Sequence, residues 1–459
     1  MRHTPTGYWL EEAGAGEPAP GLAGDATADV AIAGGGYLGL WTALRLKELE
    51  PSCDVVLLEA GMCGHGPSGR NGGFVNSLWA DTPVLLESFG RERGAAVYRA
   101  SAGSVAAIGD WCERNGVDAW YRAAPKLKVA TTAAQDGSWA PVAAALAELG
   151  AGDDVRELTP AEVAERCSSP VFRSGLLVPG SATVQPARLA LGLRAKALEA
   201  GVRIHERTRV RRVRPDGTIE TDGGRIRSGA AVLAVNSATG AFAGFHRALA
   251  VASSHIVLTE PVPDVLEAVG WTGGEAISDH RTLLHYFRTT PDGRIAFGWG
   301  GGAMGYGTHP GVRLEVDGFC AERAHTTLLR FFPQLAGRQI THAWGGPIDV
   351  SPSHLPVFGS RGAIHHGFGF TGNGVGPAHL GGRILASLAL DRRDEWSSLA
   401  LVDPPRKSFP PEPFRYAGGA LIRRALIAKD AAEDEGRRPG ALTAFVAGLP
   451  KRLGLQLPR

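Results

Sequence analysis

Residues 28–59 read ADVAIAGGGYLGLWTALRLKELEPSCDVVLLE. A short apolar run, Asp29 to Ala33, meets Gly34-Gly35-Gly36. From Tyr37 to Leu49 the apolar residues Leu38, Trp41, Leu44, Leu46 and Leu49 recur near helical spacing. After Pro51 a second apolar run, Asp54 to Leu58, ends in Glu59. The pattern predicts a strand, a glycine turn, a helix beginning at Tyr37 and Leu38, and a parallel strand. Gly34, Gly36 and Gly39 fill the three positions of a dinucleotide fingerprint, and Glu59 stands at the right distance downstream. Gly34 suits the tight turn. Gly36 lets a pyrophosphate approach the backbone at the positive end of the helix. Gly39 lets helix and strand pack closely, and a carboxylate at Glu59 accepts from ribose hydroxyls while disfavouring a 2′-phosphate. Glycine turns before helices also occur without a ligand. Here the strand before, the helix after and the acid beyond agree on a bound dinucleotide.

Working outward, 459 residues suggest two or three domains. A hydrophobic content of 44% and a charged content of 20% fit a globular enzyme with a sizeable core. The net charge of +2 gives no field that would attract nucleic acid or an anionic surface. Only seven of the 48 basic residues are lysine, which we read as the mark of a GC-rich genome. Five scattered cysteines without metal spacing argue for a reducing cytoplasm rather than a disulfide framework. No signal core is visible in the first twenty residues, and no apolar run is long enough to span a membrane. No histidine–carboxylate cluster has ligand spacing, so no metal is expected.

Residues 1–27 read as an arm anchored by Tyr8-Trp9-Leu10. After Glu59 comes the glycine-rich run AGMCGHGPSGRNGGF, from Ala60 to Phe74. Its Ser68-Gly69-Arg70-Asn71-Gly72-Gly73 segment offers backbone N–H groups, a hydroxyl, a guanidinium and an amide beside a dinucleotide. Residues 83–170 read as mostly helical. Short strands with turns at Pro215-Asp216-Gly217 and Asp222-Gly223-Gly224 form a meander. The strand AVLAVN then returns to the first sheet and leaves Asn236 at its carboxyl end, where ligands sit in such sheets. Residues 247–345 predict a second, antiparallel sheet with a hairpin around Pro291-Asp292-Gly293. A second glycine loop, Gly367 to Gly376, faces a helix start near Pro377. The expected fold is α/β, a Rossmann-type domain in discontinuous segments (28–82, 171–246 and 346–402). An α+β domain with an antiparallel or mixed sheet (83–170 and 247–345) completes the body, and residues 403–459 form a helical extension packed on it.

The fingerprint, the GPSGRNGGF loop, the TPDGRIAFG hairpin and the segments WGGPIDVSPSHLPVFG and GFGFTGNGVGPAHLGGR together resemble the D-amino-acid oxidase superfamily of flavoproteins. The resemblance spans roughly residues 28–400 and is nearest to the γ-glutamylputrescine oxidase-like and glycine/sarcosine oxidase-like enzymes. It implies FAD. By the same resemblance Gly34, Gly36 and Gly39 hold the pyrophosphate and Glu59 the ribose. Ser68, Arg70, Asn71 and Gly72 line pyrophosphate and flavin, and Val210 meets the adenine through its backbone. Gly372, Asn373, Gly374 and Val375 lie at the flavin pyrimidine end. Some members attach the flavin through a cysteine near the last glycine loop. No cysteine lies between 321 and 459, so non-covalent FAD is expected, with His65 the remote alternative for a covalent link.

The implied reaction is removal of a hydride from a carbon next to nitrogen. It needs no side-chain base, and oxygen is the expected acceptor. Tyr286 and Arg288 alternate on one strand and share a face, with Arg288 suited to an anionic group and Tyr286 to fencing the pocket. Trp299, Trp344 and His354 are further substrate-side candidates. Two other readings stand beside the amine oxidase: a flavin dehydrogenase of a 2-hydroxy acid or amine using another acceptor, and a non-catalytic flavin-bound interaction protein. Substrate identity and oligomeric state are not legible.

Overall fold

The computed structural model describes residues 2–4, 6–14, 16–307, 312–405 and 407–455. The opening stretch forms the strand Ala26–Ala33, the helix Tyr37–Leu49 and the strand Val55–Leu58, the two strands pairing in parallel. Val55–Leu58 is buried along its whole length, as an apolar strand covered on both faces must be. The helix buries nine of its 13 residues, because helix Pro186–Glu199 and helix Val375–Ala389 pack against it. Arg203–His205 joins the sheet beyond Val55–Leu58, and Arg225–Leu233 pairs on the other side of Ala26–Ala33. Ile364–Phe368 lies parallel to Arg225–Leu233, and Val357–Arg361 closes that edge antiparallel. The meander strands Val210–Val213 and Ile219–Thr221 complete eight strands. The sheet is thus assembled from three separated stretches of chain around one parallel core.

A second sheet has nine strands, with Ile340–Val350, Ala250–Thr259, Ile295–Trp299, His285–Thr289, Ala276–Asp279, Lys126–Val129, Gly175–Val178 and Arg156–Leu158 in that order. Its outer edge is Arg2–His3, parallel to Ile340–Val350. The arm therefore contributes an edge strand as well as the helix Tyr8–Ala13, whose Trp9 is fully buried. Two expected boundaries shift. Gly175–Val178 pairs with Lys126–Val129 in the second sheet rather than joining the first. Ile340–Val350 pairs with Ala250–Thr259 from end to end, so a division at 345/346 would cut through one ladder.

Alternation on this sheet separates two environments. Leu127, Val129, Phe287, Phe297 and Trp299 pack into one hydrophobic core with the helix Gly318–Phe331. Lys126, Lys128, Ser278 and Tyr286 point to the opposite face, toward the first sheet.

The extension is helical, with Phe414–Asp434, Ala441–Ala447 and Leu449–Arg452. Buried Arg281 pairs with Asp434, which Arg330 also reaches at 2.8 Å. Arg415 donates to the carbonyl oxygens of His246 and Leu249, at 2.8 and 2.9 Å. These contacts fasten the extension to the body. Among the described residues no helix is long and apolar enough to cross a membrane.

Candidate active site

A cavity of about 710 Å³ lies between the two sheets. It is lined by Gly34, Gly36, Leu58, Glu59, Ala60, Arg209 and Val210, and by Ser68, Arg70, Asn71, Gly72 and Asn236. Tyr37, Leu38 and the loop Gly372-Asn373-Gly374-Val375 also reach it. The glycines are dictated by clearance. Gly34 adopts φ +110°, and a Cβ there would lie 2.3 Å from the Ala234 carbonyl oxygen. A Cβ on Gly39 would lie 1.9 Å from the Gly34 carbonyl oxygen. Gly39, Gly69 and Gly73 do not line the cavity. They are places where backbone packs on backbone and shape the loops from behind, the role in close packing that the sequence reading gave Gly39.

Two helices aim their starts at this space. At the first, the Tyr37 amide donates to Ser68 Oγ at 2.9 Å, joining the second glycine loop to the fingerprint turn. At the second, Gly374 precedes Val375–Ala389 with no side-chain cap, leaving first-turn N–H groups for a ligand. Glu59 accepts from the Gly35 and Gly61 amides, both at 2.8 Å, and burial pushes its carboxyl pKa up. Asn71 braces its own loop, donating to the Ser68 carbonyl oxygen at 2.8 Å and accepting from the Gly73 amide at 2.7 Å.

Polar atoms in the cavity wall await partners. Asn236 Oδ1 and Asn373 Oδ1 are buried without a hydrogen bond, although the Asn373 amide nitrogen donates to the Ser77 carbonyl oxygen at 2.9 Å. Orphaned acceptors beside an uncapped helix start and a glycine cradle fit a flat, polar-edged cofactor with a pyrophosphate. Asp349 lines the same wall. Burial raises its pKa to about 7 against the Gly369 amide at 2.6 Å and a hydrogen bond from Asn236.

On the substrate side Tyr286 and His354 line the cavity. Tyr286 Oη lies 2.6 Å from Ser254 Oγ, and burial raises its pKa to about 12. His354, at φ +67°, sets Nδ1 3.2 Å from Asp81 Oδ1. Three expected residues do not reach the cavity. Trp299 sits on the far face of the sheet, in the core. Trp344 is covered by Trp9 and donates to the Arg70 carbonyl oxygen at 2.8 Å. Arg288 is buried, stacks on Trp9 and donates to the carbonyl oxygens of Gly73 and Val184. Trp9, on the amino-terminal helix, packs against both Trp344 and Arg288.

A family model described as FAD dependent oxidoreductase, the DAO family, matches residues 29–388. The chain belongs to this family. Its cofactor is FAD. The chain is 28% identical over 426 residues to a probable oxidoreductase OrdL of Rhizobium meliloti, covering 89% of this chain and 91% of that one. It is 28% identical over 442 residues to the gamma-glutamylputrescine oxidoreductase of Escherichia coli, covering 94% and 97%. Among solved structures, glycine oxidase from Geobacillus kaustophilus superposes with a TM-score of 0.66 at 21% identity, covering 80% of this chain and 96% of that chain.

The matched region of the oxidoreductase ends before the extension, yet Gly419, Ile422, Arg423, Leu426, Pro450 and Leu455 line the cavity. Sequence reading missed these, and also Lys126, Lys128, Trp79, Asp81, Ser254 and Asp349. Only the lysines left a signal: two of seven, separated by one leucine.

Proposed function

We propose that this FAD-dependent oxidoreductase oxidises a C–N bond of an amine or amino acid to an imine, with molecular oxygen as acceptor and hydrogen peroxide as product. Water then hydrolyses the imine to a carbonyl compound and an amine or ammonia. The observation that carries the reading is the continuity of the cofactor cradle with a chamber walled by Tyr286, Ser254 and apolar side chains. The names of the E. coli relative and of the glycine oxidase fold neighbour support C–N chemistry.

Gly34, Gly36, Glu59, Ser68, Arg70, Asn71, Asn236 and Asn373 would hold FAD, with Val210 at the adenine end. Bound FAD supplies the acceptor for a hydride from the carbon next to nitrogen. The chain's own residues bind and orient. Tyr286, held by Ser254, packs beside Gly72 and fences the reacting carbon. The largely apolar lining excludes water and favours the amine as its neutral base, the form that gives up the hydride. The first turn of Val375–Ala389 places positive dipole where negative charge gathers. Non-covalent FAD remains our reading, supported by His65 standing outside the cavity lining.

The test is visible flavin absorbance of the purified protein under anaerobic conditions, with amines, amino acids and 2-hydroxy acids added singly. Bleaching by a nitrogen compound followed by fast recolouring and peroxide in air supports the proposal. Recolouring only with an artificial acceptor makes the protein a dehydrogenase. Bleaching only by hydroxy acids overturns the C–N reading.

A further inference from the structure

The strand Ala250–Thr259 turns every second residue, Ala250, Ala252, Ser254 and Ile256, toward the cavity. Ser254 holds the Tyr286 hydroxyl at 2.6 Å, and the Tyr286 ring lies over Gly298 on the neighbouring strand. From Ser254 the strand runs past Ala252 to Ala250, roughly 13 Å, with no polar side chain on either alanine. Ile348 stands beside Ala252 in register, its Cδ1 3.8 Å from where a Gly372 Cβ would sit. On the other side of Ala252 the chain bridges to Met304.

A further wall comes from the extension. Helix Phe414–Asp434 brings Gly419, Ile422 and Leu426 to the cavity at a spacing of three and four residues, which is one helix face. Gly419 packs so tightly on Met304 that a Cβ would lie 2.8 Å from Met304 Cε. Ile422 and Leu426 pack with Leu283, another cavity residue. Both ends of the helix are tied to the body, through Arg415 on the carbonyl oxygens of His246 and Leu249 and through Asp434 on Arg281. The wall is therefore fixed in place.

Charged groups near this end are engaged elsewhere. Arg423 donates to the Gly301 carbonyl oxygen at 2.8 Å and lies over the Trp299 and Phe319 rings. Asp349, next to Ile348, accepts from the Gly369 amide at 2.6 Å. Lys126 and Lys128 stand four strands from Ala250–Thr259 in the sheet order, roughly 19 Å away. Ala252, Ile348, Met304, Leu283 and Ile422 are each only partly covered by protein. A concave wall with uncovered apolar surface is complementary to hydrocarbon, because covering that surface releases it from water.

We infer that Ala252, Ile348, Met304, Ile422 and Leu426 form an apolar subsite for a hydrocarbon arm of the substrate. The inference rests on the amine-oxidation reading for the reacting end, which Tyr286 fences. It narrows the substrate to an amine or amino acid whose substituent is aliphatic or aromatic. It disfavours diamines and ω-amino acids, whose distal charge would lose its water against Met304 and Ile422.

The experiment is calorimetric titration of the FAD-loaded protein with 1-butanol, 1-pentanol and 1-hexanol, neutral probes of the subsite. We expect wild-type affinity to rise roughly fourfold per added methylene, the equivalent of ~0.8 kcal/mol. Ile422→Glu should flatten that rise with FAD content unchanged. Ile422→Ala, which asks less of the fold, should weaken 1-hexanol binding at least roughly threefold. Wild-type affinity independent of chain length, or a rise that both variants keep in full, overturns the inference. Anaerobic flavin reduction by pentylamine against 1,5-diaminopentane adds a second readout, in which wild type prefers the monoamine and Ile422→Glu shifts the preference toward the diamine. A wild type that prefers the diamine also overturns the inference. If no amine bleaches the flavin but alcohol binding still grows with chain length and depends on Ile422, the amine reading fails and the subsite stands. If amines bleach it without regard to chain length, the amine reading stands and the subsite fails.

Discussion

The Arg288 guanidinium donates to the Gly73 carbonyl oxygen at 3.2 Å and to that of Val184. It ties the end of the flavin-side glycine loop to the start of the segment that becomes helix Pro186–Glu199. A substrate-binding arginine would face the cavity; this one is buried beneath Trp9. Replacing it by methionine removes the donor to buried Val184 O, which costs about 1–3 kcal/mol. We expect Arg288→Met to lower the thermal midpoint and to weaken FAD retention roughly tenfold. If that variant kept its FAD and only raised the KM of acidic substrates, the substrate role would be restored.

Gly39 meets the Gly34 carbonyl oxygen where any Cβ would sit. We expect Gly39→Ala to give a destabilised protein that purifies colourless, while Gly103→Ala, where a Cβ meets nothing within 4 Å, purifies yellow. Absorbance at 450 nm per protein reads the difference.

Asp349 binds its proton up to about pH 7 in the folded chain, against ~3.9 in an unfolded one. The folded state therefore holds the extra proton between those values. The stability from this group is full below about pH 4 and is lost as pH rises through 7. Asp430, also raised to about 7 by burial, acts in the same sense. We expect Asp349→Asn to flatten, without abolishing, the fall of the thermal midpoint between pH 5 and pH 8. A slope identical to wild type would show that the carboxylate is ionised throughout.

Ile422 and Leu426 carry the extension into the cavity. We expect Ile422→Trp to leave FAD content intact and to raise KM for long amines roughly tenfold while sparing short ones, because overfilling a packed wall costs ~1–3 kcal/mol. Steady-state kinetics over a homologous amine series would show it; an equal effect at every chain length would remove the extension from the site.

The glycine turns of the βαβ unit were legible because their requirements are local. Gly34, Gly36 and Gly39 are fixed by clearances within a few residues or across one strand, so their spacing survives in the sequence. The substrate half was not. Tyr286 and Arg288 do share a face, yet one borders the cavity and the other lies under Trp9, a residue 279 positions away in the chain. Trp299 was misplaced by parity: its strand neighbours fix it on the core face, and parity shows only once partners are known.

By itself the sequence determined the βαβ cradle, the two-sheet plan and the anchoring of the arm at Tyr8-Trp9-Leu10. Each follows from short-range periodicity, glycine sterics and a motif of fixed spacing, whereas FAD was implied by the resemblance to a flavoprotein family. Only the tertiary structure decided that the amino-terminal helix displaces Arg288 and Trp344 from the cavity, that Lys126 and Lys128 enter it, and that the extension supplies its wall. Those outcomes depend on which distant segments compete for the same buried volume, and that competition leaves no periodic trace along the chain.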